Sequence, residues 1–231
     1  MNKTQVGQNK YGKYCVPILT PSRVEIDKIL DGDVHEQDTI ECIVNNSRGN
    51  DIVHAGTFFG DMLPAFSQAF NTVWAFEPSK FIYECASQTI QLNEITNVTL
   101  RNSALSNKVG HAYIKTANNE GKQTGSAARL TKQTDGVTER VDVHTIDYVV
   151  PITSTIDVIH LDVEGQELDA LRGAKQTIVR CKPCIVLETR GPQYRQFSKF
   201  LGALGYVLQT RTHPTVKVPI GLNTVWKYNG E

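Results

Sequence analysis

No run of about 18 apolar residues occurs in the chain, so no membrane-spanning helix is expected. Neither sign of charge is in excess. Lysines and arginines number 24, against 24 acids, and the isoelectric point lies near 7. That balance gives no reason to expect a nucleic acid or a membrane surface as partner. The N-terminal MNKTQVGQNKYGKY lacks the apolar centre of a secretory signal, which makes a cytoplasmic location the expectation. Cysteine is scarce and odd in number: Cys15, Cys42, Cys85, Cys181 and Cys184. Five thiols in 231 residues make no disulfide framework. Cys181-Lys-Pro-Cys184 has redox or half-zinc spacing, yet no second such pair follows and an apolar strand does. Buried free thiols are therefore expected there. Internal repeats and domain linkers are also missing. What remains is 40% apolar and 21% charged, suiting one α/β unit with a full core. Residues 1–48 read as an arm with helices, and residues 49–231 as the main domain.

The most informative stretch is 51–79, DIVHAGTFFGDMLPAFSQAFNTVWAFEPS. A short apolar run leads into a loop holding Gly56 and Gly60. Met62, Leu63, Phe66 and Phe70 then recur at helical spacing. A second apolar run ends on Glu77-Pro78. In nucleoside-binding α/β folds the first turn lets the backbone approach the ligand, and the acid after the second strand takes the ribose hydroxyls. Glu77 lies 17 residues beyond Gly60. The glycines are spaced G-x-x-x-G, with no third glycine to admit a pyrophosphate. That favours a nucleoside without phosphates, of which S-adenosylmethionine is the commonest cofactor. Any βαβ unit can also carry two glycines in a loop.

Elsewhere, residues 1–20 read as a loosely ordered arm, and helices are expected over 23–30 and 36–44. A helix over 80–93, a strand over 98–102, a short strand over 109–115 and an edge-type strand over 139–144 follow. The loop after the third strand makes Ser103, Ala104 and Leu105 candidates to touch a base. Residues 116–138 are polar, and a loop that long suggests a role; Thr124, Gly125 and Ser126 are its most site-like part, with Ser126 a candidate substrate contact. A strand over 156–161 ends in Asp162-Val163-Glu164-Gly165, and one helix is expected over 166–178. Strand 184–187 ends at Glu188, helix 193–204 ends at Gly205, and 206–210 with 222–228 form a terminal hairpin.

This order resembles the FkbM-type S-adenosylmethionine-dependent methyltransferases of the class I methyltransferase fold, over about residues 51–228. The most specific block is IHLDVEGQELDALRGA at 159–174. It is similar to the family's strand, its Asp-x-Glu-Gly-x-Glu and its helix ending Leu-x-Gly-Ala. AFEPS at 75–79, SALS at 103–106, TID at 145–147 and VLE at 186–188 support it. The resemblance implies a Rossmann-like, mostly parallel sheet with a C-terminal antiparallel hairpin and helices on both faces. It also implies S-adenosylmethionine as cofactor. Glu77 and Pro78 would meet the ribose, His54, Gly56, Thr57, Gly60 and Asp162 the methionine arm, and Ser103 and Ala104 the adenine. The implied activity is O-methyl transfer to a hydroxyl of a carbohydrate or secondary metabolite. In two places the chain departs from the pattern: the family usually has an acid at His54 and a lysine at His160. A neutral His54 can still accept a hydrogen bond, whereas a protonated one would repel an ammonium.

An alcohol is a poor nucleophile while protonated, so a base within about 3 Å is wanted. Asp162 and Glu164 are the candidates by topology, with His160 on the same strand, and Glu188 on the same rim is a candidate substrate contact. Glu164 and Glu167 also suit the N-terminal end of the following helix. No compact ligand set for a metal is spaced here. Two other readings stay open: a methyltransferase-fold binding or scaffold subunit, motivated by His54 and His160, and a nicotinamide oxidoreductase, disfavoured by the missing glycine.

Overall fold

The computed structural model describes residues 3–115, 130–131, 138–190, 193–211 and 222–230; Ser126 and its neighbours lie outside them. The chain opens with an antiparallel hairpin, β1 (Thr4–Asn9) and β2 (Gly12–Pro17), where a loose arm was expected. Its sequence hides it, because β1 is almost entirely polar and exposed. What holds the hairpin is packing from elsewhere. Tyr14, Cys15 and Val16 are buried with Ile26 and Ile29 of α1 (Val24–Leu30), and with Phe58, Phe59, Ile82 and Cys85. The Cys15 amide donates to Thr89 Oγ1 at 3.0 Å. α2 (Gln37–Val44) follows and buries Ile40 and Ile43.

β3 (Asp51–Ala55), α3 (Leu63–Ala69), β4 (Val73–Phe76), α4 (Lys80–Leu92) and β5 (Val98–Arg101) form the first half of the main sheet. A small side sheet follows: β6 (Ala104–Leu105), β7 (Gly110–Lys115), β8 (Leu130–Thr131) and β9 (Thr138–His144). After α5 (Ile146–Val149) come β10 (Ile156–Leu161), α6 (Glu167–Arg172), α7 (Lys175–Cys181), β11 (Cys184–Thr189), α8 (Gln193–Gly202), β12 (Tyr206–Arg211) and β13 (Leu222–Tyr228). The main sheet runs β12-β13-β11-β10-β3-β4-β5. Its five consecutive strands β11 to β5 are parallel, and β13 inserts antiparallel between β11 and β12. This is the mostly parallel sheet with a terminal hairpin that the sequence implied.

Strand alternation decides what each face carries. Val53, Ala55, Ile159, Leu161, Ile185 and Leu187 face one way, towards Leu171, Ile178, Phe197 and Leu201 of α6, α7 and α8. Ile52, Val158 and Val186 face the other way, with Ile40 and Ile43 of α2 and Leu63 and Phe66 of α3. His54 and His160 occupy this second parity, and the register pairs them directly.

The single helix expected over 166–178 is two helices, broken at Gly173. A Cβ on Gly173 would lie 2.1 Å from the Ser106 carbonyl oxygen, so the chain passes too close to the side sheet for a side chain. Asp147 restarts the helix from a distance. Its carboxylate accepts from the Gln176 and Thr177 amides, both at 2.9 Å, as an N-cap residue does. The apolar spacing continues across the break, which is why periodicity alone misses it.

Candidate functional site

The loop after β3 turns on Gly56 and Gly60, both in the left-handed region at φ +84° and +86°. The Gly56 and Thr57 amides donate to the Phe76 carbonyl, at 3.2 Å each. Thr57 Oγ1 accepts from the Phe76 amide, also at 3.2 Å. These bonds lash the loop to the end of β4 and set Gly56 against the loop after β10. Thr57 is fully buried, and neither it nor Gly60 is among the residues lining the two cavities described below; both shape the turn.

Glu77, at the end of β4, is buried and accepts from two backbone amides, Phe58 at 3.0 Å and Ser79 at 2.9 Å. Burial nevertheless pushes its carboxyl up to about 8. Asn102 Nδ2 donates to the Glu77 and Pro78 carbonyls at 2.9 Å each, joining the end of β4 to the turn after β5. That turn carries Ser103, whose Oγ is buried and has no hydrogen-bond partner among the described residues. Ser103 lines a small pocket with Phe76, Pro78, Ala104, Leu105 and Val163.

Gly56, Glu77, Asp162 and Glu164 border this pocket and also a larger cavity of about 300 Å³. Residues from the N-terminal segment, including Arg23 and Glu36, also line the larger cavity, and Asn223 Nδ2 donates to the Glu36 carboxylate at 2.9 Å. Glu164 sits at φ +53° and its carboxylate meets Arg190 at 2.8 Å. Arg190 also holds Glu188, through Nε at 3.1 Å and Nη2 at 2.9 Å. Glu164 is thus tied to a guanidinium rather than standing as an independent base, and Glu188 is tied to the same one. Burial raises Asp162 well above the usual carboxylate range, and Glu188 beside it adds to the rise. Asp61, directly after Gly60, is raised to about 7 by burial and by Glu25 and Glu36. Sequence reasoning missed both Asp61 and Arg190; the only signals were their places next to Gly60 and two residues past Glu188.

His54 and His160 are buried side by side at the same cavity, with Nδ1 to Nδ1 at 3.0 Å and rings within 3° of parallel. Phe66 packs edge-on against both. Burial lowers His160 to about 4 and lowers His54 well below the ordinary histidine value. The pair is therefore neutral at pH 7, and His54 does not repel a cation. Glu167 plays a different part. It accepts from the Val163 amide at 3.2 Å and the Gly165 amide at 2.9 Å, and from Gln193 Nε2 at 3.0 Å. It clamps the turn that carries Asp162 and Glu164. Glu167→Ala is expected to lower stability by about 1–3 kcal/mol, because it strands buried donors. Glu167→Gln should cost less, since an amide oxygen can still accept; urea midpoints of the two variants test this, and equal midpoints would deny the clamp.

Raised carboxyls make stability depend on pH. Above the ordinary carboxylate range, up to about pH 7 for Asp61 and about pH 8 for Glu77, the folded chain holds protons that the unfolded chain has lost, and the raised Asp162 acts in the same direction. Stability then falls as pH rises. His54 and His160 act oppositely, but only below about 6.5, where the unfolded chain takes up protons and the folded pair does not. The melting temperature of the ligand-free protein is expected to drop from pH 6.5 to 8, by about 2–4 °C per kcal/mol lost. A scanning-calorimetry series in which it climbs over that interval would contradict the raised carboxyls.

The sequence model of the methyltransferase FkbM domain matches residues 54–211, more than half of the chain. The chain belongs to the FkbM methyltransferase family. An FkbM methyltransferase from Methylobacillus flagellatus KT is similar in structure (TM-score 0.57, 18% identity, covering 79% of this chain and 44% of that one). This chain thus spans under half the length of that relative. An rRNA methylase from Streptococcus thermophilus matches at TM-score 0.52 and 11% identity, over 83% of this chain and 95% of that one. M. jannaschii TYW2, in complex with AdoMet, matches at 0.51 and 10%, over 99% and 88%. At these identities the structures show the shared fold. No curated protein sequence matches the chain. S-adenosylmethionine is the cofactor that goes with the FkbM family, and the residues here fit it. The smaller pocket is mainly apolar with one orphaned hydroxyl, Ser103 Oγ, as suits a heteroaromatic base, and Glu77 presents buried acceptors beside it. Among the described residues no group of three or more His, Cys, Asp and Glu could hold a metal ion, and no helix is long and apolar enough to cross a membrane.

Proposed function

We propose that this chain is an S-adenosylmethionine-dependent O-methyltransferase acting on a hydroxyl of a carbohydrate or a small secondary metabolite. The observation that carries the reading is the placement of Asp162, which borders both the smaller pocket and the larger cavity. When bound, the cofactor supplies a methyl carbon made electrophilic by its sulfonium. The chain supplies the rest. Ser103 and the apolar walls take the base, Glu77 takes the ribose, and the Gly56 turn lets the backbone close on the ligand. Asp162 accepts the hydroxyl proton as the oxygen attacks. Its raised affinity for a proton makes its ionised form a stronger base than an ordinary aspartate. Glu164 and Glu188, held by Arg190, fix the shape of the acceptor side.

Calorimetry with S-adenosylhomocysteine, together with transfer of labelled methyl to hydroxylated acceptors, tests the proposal. Binding in the micromolar range is expected. Asp162→Asn should lower kcat by about 10²–10⁴-fold. Absence of binding at high micromolar ligand would overturn the reading. Binding without transfer to any acceptor would instead favour a binding or scaffold subunit.

A further inference from the structure

We propose that the acceptor held in the larger cavity is a cation: a hydroxylated molecule bearing a protonated amine, of the amino-sugar class. This rests on reading the site as one of methyl transfer, and it goes further by naming the charge of the substrate. Apart from Glu77, six carboxyl groups line that cavity. Asp61, Asp162, Glu164 and Glu188 come from the strand ends, and Glu25 and Glu36 from the N-terminal helices. Among the described residues the guanidiniums facing them are those of Arg23 and Arg190, and Arg190 is already engaged by Glu164 and Glu188. The whole chain is neutral, so this excess is local. The raised proton affinity of Asp61 and Asp162 relieves part of this crowding, and the single net positive charge of a sulfonium cofactor does not cover the remainder.

A second observation points the same way. His54 and His160 line this cavity, each is 1% exposed, and the Nε2 of each lacks a hydrogen-bond partner among the described residues. Their Nδ1 atoms share one hydrogen bond, so one ring carries its proton on Nδ1 and the other on Nε2. The first ring must then present a bare lone pair at Nε2. A buried lone pair without a donor is costly, and so is a crowd of acids facing fewer cations. A neutral hydroxyl would serve the lone pair but not the charge. A phosphate or carboxylate would be repelled by the rim. An ammonium carries three donors and a positive charge, and serves both. The high proton affinities of Asp61 and Asp162 report the same crowding of like charge, since neighbouring acids help raise each of them.

The test titrates the chain, saturated with S-adenosylhomocysteine, with glucosamine and kanamycin, with their N-acetylated forms, and with glucose and glucuronic acid. The amines are expected to bind at least about tenfold more tightly than their acetylated forms. The difference should shrink as salt is raised from about 50 to about 500 mM. The Glu25→Gln, Glu36→Gln double variant should lose most of this preference while its affinity for S-adenosylhomocysteine stays unchanged. The inference is overturned if acetylated or acidic sugars bind as well as the amines, if neither amine binds, or if the double variant keeps the full preference. Failure of S-adenosylhomocysteine to bind is read separately. It removes the methyl-transfer reading, while the charge preference can still be measured on the ligand-free chain.

Discussion

Gly56→Ala is expected to abolish binding of S-adenosylhomocysteine and to lower the melting temperature. Two effects combine at this position. Its φ of +84° strains any residue with a Cβ, typically by about 1–3 kcal/mol. In addition, a Cβ there would lie 1.8 Å from the Asp162 carbonyl oxygen, a backbone atom that cannot rotate away. The Asp162 amide donates to the Ala55 carbonyl at 3.0 Å, so pushing the two loops apart also breaks the last rung between β3 and β10. Gly49→Ala is the matched control. Gly49 has nearly the same φ, +85°, but a Cβ there meets nothing within 4 Å. It should lose stability only through strain, and calorimetry should find its ligand affinity intact. Equal behaviour of the two variants would mean that the close approach of the loops contributes nothing.

The second large effect concerns Glu77. Glu77→Ala is expected to weaken S-adenosylhomocysteine by at least about 100-fold, since it removes a charged acceptor from a buried site and orphans the Phe58 and Ser79 amides. Glu77→Gln retains an oxygen and should lose less. The wild-type protein carries a proton on Glu77 up to about pH 8. Ribose hydroxyls donate best to the ionised carboxylate, so binding lowers its proton affinity and expels the proton. Affinity should therefore rise with pH through neutrality and level off above about 8. Titrations in buffers of different ionisation enthalpy count the proton released. Asp162 also has a raised proton affinity, and Glu77→Gln separates the two: the part that disappears in this variant belongs to Glu77. Unchanged proton release in Glu77→Gln would remove Glu77 from the linkage.

Much of the main sheet could be read from local sequence because its central strands β3 and β10 are fully buried and short. The runs 156–161 and 222–228 coincide with β10 and β13 as observed. Glu77, Asp162 and Glu188 could be placed near one another because strand ends in a parallel sheet converge on one edge. The unread features all depend on contacts between distant residues. The β1–β2 hairpin is stabilised by α1, α4 and the Phe58–Phe59 turn, not by its own pattern. The break at Gly173 follows from the Ser106 carbonyl, and the restart of α7 from Asp147. The His54–His160 contact needs the register of two strands more than a hundred residues apart. Arg190 bridging Glu164 and Glu188 needs the conformation of two loops together. Charge balance over the whole chain hides the acidic cavity, because opposite charges elsewhere cancel it.

The N-terminal segment has a consequence for how such proteins diversify. The family match begins at residue 54, yet Arg23, Glu25, His35 and Glu36 also line the cavity. On the proposed reading, the residues that would hold the nucleoside and those that the N-terminal segment adds to the acceptor cavity are encoded in separate stretches. Natural variation within a short lead-in can retune which molecule is accepted and leave the catalytic edge of the sheet untouched. Relatives with the same signature at 159–174 can therefore differ in acceptor without any change that the signature would record.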